Sequence, residues 1–463
     1  MTALNRFPPQ IKFIIGNELC ERFSFYGMRN ILTVFLIDYL LVNVAPDLQT
    51  RQALAKANFH LFVSGVYFFP VLGGYLADRF FGKYRIILSL SFLYCAGHAC
   101  LALFDKNKTG FYAGLFLIAL GSGGIKPCVS SMVGDQFHEG NKHLVKRVFA
   151  IFYWSINFGS FFASLLIPKT LKLYGPQVAF GIPGALMLLA TIIFWIGRRN
   201  YVDVPPTGAN PHSFLRIVAS AVRRRKPGAG WLEGALADHP REAVEAVKAV
   251  FRVLSAFLPI PFFWMLFDQK ASTWVVQAKR MDPNIGSLVF EPSQMQFVNP
   301  ALVMLLIPFA AGVLYPASSR LGFELTPLRR MVIGMALGGL SYVVAGGLEV
   351  AIEGGQRLSI LWQIAPYIVL TMAEIFVSTT GLEFAYSQAP PSMKGTIMSF
   401  WCLTTTAANL AVALVSALNV FKGSALFFYY AAMAFAASLA LGYIARRYTG
   451  VEYFQKAAGP ARA

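Results

Sequence analysis

Apolar residues run in stretches of helical length along almost the whole chain. They fall at about 11–42, 57–78, 84–104, 109–134, 147–172 and 178–197, and again at 254–278, 293–319, 328–350, 358–386, 394–418 and 422–445. A helix crosses the hydrocarbon core of a bilayer in about 20 residues, so each stretch predicts one crossing, six before a polar break and six after. The break, from Arg198 to Val253, contains PPTGANP and the run RRRK at Arg223–Lys226, with no apolar stretch long enough for a further crossing. Within it, HSFLRIVASAVRRRK and REAVEAVKAVFRVLSAF place apolar residues at three- and four-residue spacing beside basic ones. They predict two amphipathic helices, either lying on a membrane surface or packed against the inner ends of the bundle. The fold class is all-α and polytopic: an N-terminal six-helix bundle over 1–197, a cytoplasmic linker over 198–253, a C-terminal six-helix bundle over 254–447 and a cytoplasmic tail over 448–463.

Composition agrees with this pattern. Charged residues make up 13% of the 463 positions and hydrophobic ones 56%, against roughly 25% charged in soluble domains. The net charge of +18 does not point to nucleic acid, because Lys and Arg concentrate in cytoplasmic loops of membrane proteins. With both ends inside, 26 of the 40 basic residues fall in inner segments, 10 in outer loops and four in the helices: Arg22, Arg29, Lys126 and Lys270. Both termini are therefore expected to be cytoplasmic. The first apolar stretch carries charges and is too long for a cleavable signal peptide, so it is expected to remain as a span. The five cysteines lie in apolar surroundings without a CxxC pair, so neither a disulfide framework nor a metal site is expected. No HExxH, GxSxG or phosphate-binding loop is present. The chain reads as neither an enzyme nor the holder of a cofactor.

Chemistry enters with the charges inside the spans, each of which costs several kcal/mol in a bilayer and is usually paired or functional. Span 1 holds Glu18, Glu21, Arg22 and Arg29, span 4 holds Lys126, span 7 Asp268 and span 10 Glu374. In a bundle of three-helix repeats these are the equivalent first helices of the four repeats, so their charges point to one central cavity. At about 100° per residue, Glu18, Glu21, Arg22, Phe25, Tyr26 and Arg29 share one face of span 1. Counting depth along the helices places Glu21 level with Lys126 and Arg29 level with Asp268, which predicts an inner pair and an outer pair, with Glu374 near the midplane.

Several segments carry a family signature. ELCERFSFYGMR on span 1 resembles the ExxERFxYYG motif of the proton-coupled oligopeptide transporters, within the major facilitator superfamily. FLIALGSGGIKPCVSSMVGDQF on span 4, FYWSINFGS on span 5 and FWMLFDQ on span 7 are similar to further signatures of that family. GGYLADRFFGKYR resembles the superfamily's loop between spans 2 and 3, where Asp78, Arg79, Gly82, Lys83 and Arg85 would secure the inner face; alone it would read as a tight basic turn. The resemblance implies two six-helix halves and twelve transmembrane helices. It also implies a proton-responsive cluster of Glu18, Glu21 and Arg22 with Lys126, and an outer gate of Arg29 and Asp268. A substrate pocket would be lined by Tyr26, Arg29, Tyr67, Lys126, Asn157, Asn299, Glu374 and Trp401. Taken singly, Tyr67, Asn157, Asn299 and Trp401 equally suit interhelical packing. His60, seven residues before Tyr67, matches a position where animal members use a His in proton binding; a partly exposed His at a helix entrance is the alternative. His98 matches no motif and reads as packed. Phe25 departs from the family's first Tyr and removes one hydroxyl from the expected cavity wall.

The implied function is import of di- and tripeptides in symport with protons by alternating access, with another small solute, nitrate or a modified amino acid, as the alternative. A peptide is a zwitterion, so Glu374 would receive its amino terminus and Arg29 or Lys126 its carboxylate. Expected partners are peptides, protons and the lipid bilayer, without nucleic acid, and with the monomer as functional unit in a bacterial inner membrane.

Overall fold

The computed structural model describes residues 7–208, 210–225, 230–322 and 324–450. Lys226 of the basic run and residues 451–463 of the tail lie outside the described residues. The first crossing is α1 (Ile11–Phe35), which runs on to Leu40. Next, α2 (Leu48–Leu76) begins well before its apolar stretch at residue 57, because the Asp47 carboxylate accepts from Thr50 N at 2.7 Å and caps the helix in a polar segment. Then come α3 (Lys83–Leu103) and α4 (Lys108–Asp135), the latter capped by Asn107. The long α5 (Val145–Ile196) holds the fifth and sixth crossings, which part at Gly175, where φ of 80° favours glycine.

The linker forms α6 (Phe214–Arg223) and α7 (Arg241–Phe257). The latter bends by 48° into the seventh crossing, made of α8 (Ile260–Phe267), a tight turn over Asp268–Ala271 and α9 (Thr273–Ala278). A short hairpin of β1 (Asn284–Ile285) and β2 (Leu288–Val289) leads into α10 (Val298–Phe309) and α11 (Tyr315–Arg320). The ninth crossing is α12 (Pro327–Glu353), the tenth α13 (Ile364–Glu374) with α14 (Thr380–Ser387), and the last two α15 (Lys394–Leu418) and α16 (Gly423–Arg447).

Nine helical segments among the described residues are long and apolar enough to cross a membrane, ten with the bent pair. The difference from twelve has two causes. The 60-residue segment Gly140–Arg199 counts once although Gly175 divides it, and α1 is too charged to qualify on apolarity.

Side chains pack into two main cores. One runs from Ile11 to Phe194 and takes in Ala271, and the other runs from Ile217 to Leu441. Small residues let the helices touch: a Cβ on Gly97 would lie 2.8 Å from Gly114 O, and one on Gly114 2.9 Å from Gly97 O. Of the two readings of the linker, the bundle-packed one fits. Ile217, Ala221, Val244, Val247, Val250 and Val253 are all buried in the second core, and the ring of Phe214 meets that of Phe400 at 5.3 Å. The linker's polar side is tied separately. Asp238 accepts from Ser220 Oγ and pairs with Arg224, both at 2.7 Å, and the Ser220 hydrogen bond, then Arg224, hold its carboxyl below its ordinary value.

The start of α1 and the end of α16 lie on one face, the terminal face. Hydrogen bonds and ion pairs between the halves cluster on the opposite side. They include Thr33 Oγ1 donating to Ala271 O (2.7 Å), Lys279 paired with Asp38 (2.5 Å), Gln294 donating to Leu165 O (2.7 Å) and Lys172 paired with Glu291 (2.7 Å). The molecule is closed on the far face.

Because the α3–α4 contact is backbone against backbone, Gly114→Ala is expected to lower the thermal midpoint of the purified protein by an amount equivalent to about 1–3 kcal/mol. Gly134→Ala, with nothing within 4 Å of the added methyl, is expected to leave it unchanged or slightly raised.

Candidate functional site

Glu18, Glu21, Arg22 and Arg29 of α1 are all buried, and Arg29 among them reaches across to the second half. Arg22 Nε donates to Glu18 Oε1 at 2.6 Å and lies 3.0 Å from Glu21 Oε2. The single Nε hydrogen goes to Glu18, so Glu21 feels the guanidinium charge while neither of its oxygens accepts a hydrogen bond among the described residues. The expected ion pair between Glu21 and Lys126 is not formed. Lys126 Nζ instead lies 4.2 Å from the ring centre of Phe25 and 5.0 Å from that of Tyr67. The Phe25 that removes a hydroxyl from this wall thus supplies an aromatic face, which attracts an ammonium without neutralising it.

Nearer the far face, Arg29 NH2 donates to Asp268 Oδ1 at 2.7 Å, joining the halves. The other carboxylate oxygen accepts from Asn409 Nδ2 at 2.8 Å, and the guanidinium sits 5.4 Å above the Phe59 ring. His60 is fully buried, not a partly exposed His at a helix entrance, because α2 extends outward beyond it. Its Nδ1 lies 2.7 Å from Asn409 Oδ1 and its Nε2 2.7 Å from Ser272 Oγ. Since Asn409 spends its N–H on Asp268, its oxygen accepts, which assigns the proton to Nδ1 and makes Nε2 the acceptor of the Ser272 hydroxyl. A second proton on His60 would turn that hydroxyl toward Gln269 O, 3.5 Å away.

The substrate residues fall into three settings. Lys270 Nζ donates to Asn299 Oδ1 at 2.7 Å, and Asn299 Nδ2 donates to Glu374 Oε2 at 2.7 Å. A cation and an anion are thus bridged by one amide. Tyr26, Tyr67, Lys126 and Glu374 are half-buried between the halves, and Tyr153 is near enough to Glu374 to feel its charge. Asn157 donates within its own helix to Tyr153 O at 3.0 Å. Trp401 is 6% exposed and packs against Phe257 and Trp264, so its ring is largely occupied by the second core. An apolar crevice of about 610 Å³ lies apart from these charges, against Phe62, Phe68, Leu115 and Phe116.

The loop after α2 is latched on the terminal face. Thr207 N donates to Asp78 O at 2.9 Å, Arg79 NH1 donates to Thr207 Oγ1 at 2.9 Å and Gly208 O at 3.1 Å, and Lys83 pairs with Asp135 at 2.5 Å. Gly82 turns with φ of 79°, and Arg85 is exposed.

Lys270, Asn409, Ser272 and Tyr153 were not among the residues singled out by sequence. Lys270 had a signal, as a fourth intramembrane cation two residues from Asp268, and Tyr153 lies in the FYWSINFGS segment. Asn409 and Ser272 had none, since their roles follow from how three helices meet.

A family model described as POT family matches residues 84–425. Peptide transporter 3 of Caenorhabditis elegans is 36% identical over 375 residues, which cover 76% of this chain and 52% of that protein. The chain spans about half the length of the curated relatives it matches. The crystal structure of an auto-inhibited POT family peptide transporter, 49% identical, has a TM-score of 0.91 over 97% of this chain and 99% of that one. The in meso crystal structure of the POT family transporter PepTSo, 48% identical, has a TM-score of 0.91 over 96% and 99%.

If the Arg29–Asp268 pair holds the far face shut, Asp268→Asn opens it. Labelling of a cysteine placed at Thr33 by a membrane-impermeant thiol reagent is then expected to rise several-fold, and the exchange Arg29→Asp with Asp268→Arg to return it toward the original rate. An unchanged rate in Asp268→Asn would remove the pair from that role.

Proposed function

The chain belongs to the POT family and has the major facilitator fold, and from this and the charges between its halves we propose that it imports di- and tripeptides in symport with protons. The observation that carries the reading is the set of opposite charges held apart between the halves, beside a far face joined by the Arg29–Asp268 pair. Glu374, bridged through Asn299 to Lys270, offers a carboxylate to a peptide amino terminus. Lys126, lying against the Phe25 and Tyr67 rings, offers a cation to the carboxylate end. Tyr26, Tyr67 and Tyr153 between them accept varied side chains. A carboxylate at this position suits an amine and disfavours nitrate.

Transport follows from the two-sided design. In this reading Arg29, Asp268, Asn409, His60 and Ser272 seal the far face, and substrate reaches the site from the terminal face. Opening the far face requires exchanging the Arg29–Asp268 pair and both His60 hydrogen bonds for hydration. A proton on Asp268 removes one charge of the pair, and one on His60 reorganises its contact with Ser272. Either weakens the seal. At Glu18 and Glu21, a proton frees Arg22 from one of two carboxylates and so changes the charge that a bound peptide meets. The gradient supplies the direction.

We assign the terminal face to the cytoplasm from the distribution of Lys and Arg, the location to a bacterial inner membrane, and the working unit to the monomer, with protons as the coupling ion and no cofactor.

The test is uptake of labelled dialanine into proteoliposomes with and without an inward proton gradient. Accumulation that collapses with a protonophore and is competed by tripeptides but not by free amino acids or nitrate is expected. Proton-driven flux of another solute alone would overturn the substrate. Glu374→Gln is expected to weaken peptides with a free amino terminus about tenfold or more, and N-acetylated peptides much less, the difference being one charge-assisted hydrogen bond. Equal losses for both would remove the amine-binding role.

A further inference from the structure

Inside the N-terminal bundle, beside the charged face of α1, three polar side chains converge without partners. Both carboxylate oxygens of Glu21 on α1, the hydroxyl of Tyr94 on α3 and the hydroxyl of Ser122 on α4 are buried and make no hydrogen bond among the described residues. Tyr94 and Ser122 are wholly inaccessible, and Glu21 is 1% exposed. Tyr94 is near enough to both Glu21 and Ser122 to act on each. Glycine sets this approach, for a Cβ on Gly121 would come within 2.8 Å of Tyr94 Cβ.

The ring of Tyr94 is fixed while its O–H remains free to turn. His98 stacks on it with centroids 5.1 Å apart and planes 20° apart. His98 is itself held by Ser24 Oγ, 2.9 Å from its Nε2. Ser24 gives its own hydrogen to Pro183 O at 2.6 Å, so Nε2 is the protonated nitrogen of His98. The other groups acting on Glu21 are Glu18, Arg22 and Tyr26 from α1 and Lys126 from α4. Arg22 directs its Nε hydrogen to Glu18, and Lys126 lies against aromatic rings. Among these neighbours Tyr94 is the one whose hydroxyl acts on Glu21 as a hydrogen-bonding group.

We infer that Tyr94, backed by Ser122, is a positioning residue for the coupling proton on Glu21. With the carboxylate ionised, Tyr94 O–H donates to Glu21 and accepts from Ser122. With the proton on Glu21, the carboxyl O–H donates to Tyr94, whose own hydrogen turns to Ser122. The proton count of the pair of hydroxyls is the same in both states, and only their direction reverses. Both forms of Glu21 are thereby solvated from within the bundle, independently of what fills the space between the halves. This role rests on the transport reading for its purpose, but its chemistry can be read without transport.

The test is an infrared pH titration of the purified protein. The carboxyl C=O band that disappears in Glu21→Gln identifies Glu21. Tyr94→Phe keeps the ring and its stacking on His98 and deletes the hydroxyl, so the band is expected to move to higher frequency and its half-titration to rise by about one pH unit, because the ionised form loses a charge-assisted hydrogen bond and the protonated form only a weaker neutral one. Ser122→Ala is expected to give a smaller change in the same direction. A band and titration in Tyr94→Phe identical to the parent protein, at an unchanged thermal midpoint, would overturn the inference. If Tyr94→Phe fails to fold, an unaltered titration in Ser122→Ala would overturn it equally. In proteoliposomes the alkaline limit of dialanine uptake is expected to move with the titration. Absence of proton-driven uptake in the parent protein would sink the transport reading and leave the infrared result standing.

Discussion

Arg29 and Asp268, 239 positions apart, meet as a buried ion pair at the boundary between the two halves, and the closed far face depends on it. Taking both charges out of water costs nearly as much as their attraction returns, so the pair is only weakly favourable and needs its surroundings. Asn409 fills the second carboxylate oxygen, and Phe59 lies under the guanidinium. His60 and Ser272 extend the network across the same boundary. Near balance is what a reversible closure requires: a strongly stabilising apolar seal would have to be pulled apart against its full burial energy, whereas these groups exchange one set of hydrogen bonds for hydration.

The inner charges are left less evenly matched. Arg22 serves two carboxylates and satisfies one, and Lys126 rests on rings. The result is an anion and a cation in the same region that do not cancel each other. Aromatic faces hold an ammonium in place while leaving its charge available, and Phe25 does this where a tyrosine hydroxyl would have offered a hydrogen bond.

Much of this was legible in the sequence. The spacing of apolar stretches gave most of the crossings to within a few residues, the start of α2 excepted, and helical depth alone put Arg29 level with Asp268. Where the reading failed, interactions outside its reach had decided the matter. The start of α2 is fixed by the Asp47 cap, not by apolarity, and that shift carried His60 from a supposed helix entrance to full burial. Depth also put Glu21 level with Lys126, yet depth cannot say that Phe25 and Tyr67 would take the ammonium first. Asn409, Ser272 and Tyr94 are ordinary residues of apolar helices, and their importance comes from neighbours on other helices. Lys270 was counted as a charge but not given a role, because its partner Asn299 lies on a different span.

The linker has a mechanical consequence. Gly208 is bound to the first half through Arg79, and Phe214 is seated on the second through Phe400. Only six peptide steps separate these anchors, and a fully extended chain covers at most about 3.5 Å per step. The two anchor points can therefore never lie more than about 21 Å apart while both hold. The connection acts as a leash: as long as both anchors hold, its length caps how far the two halves can part where it joins them.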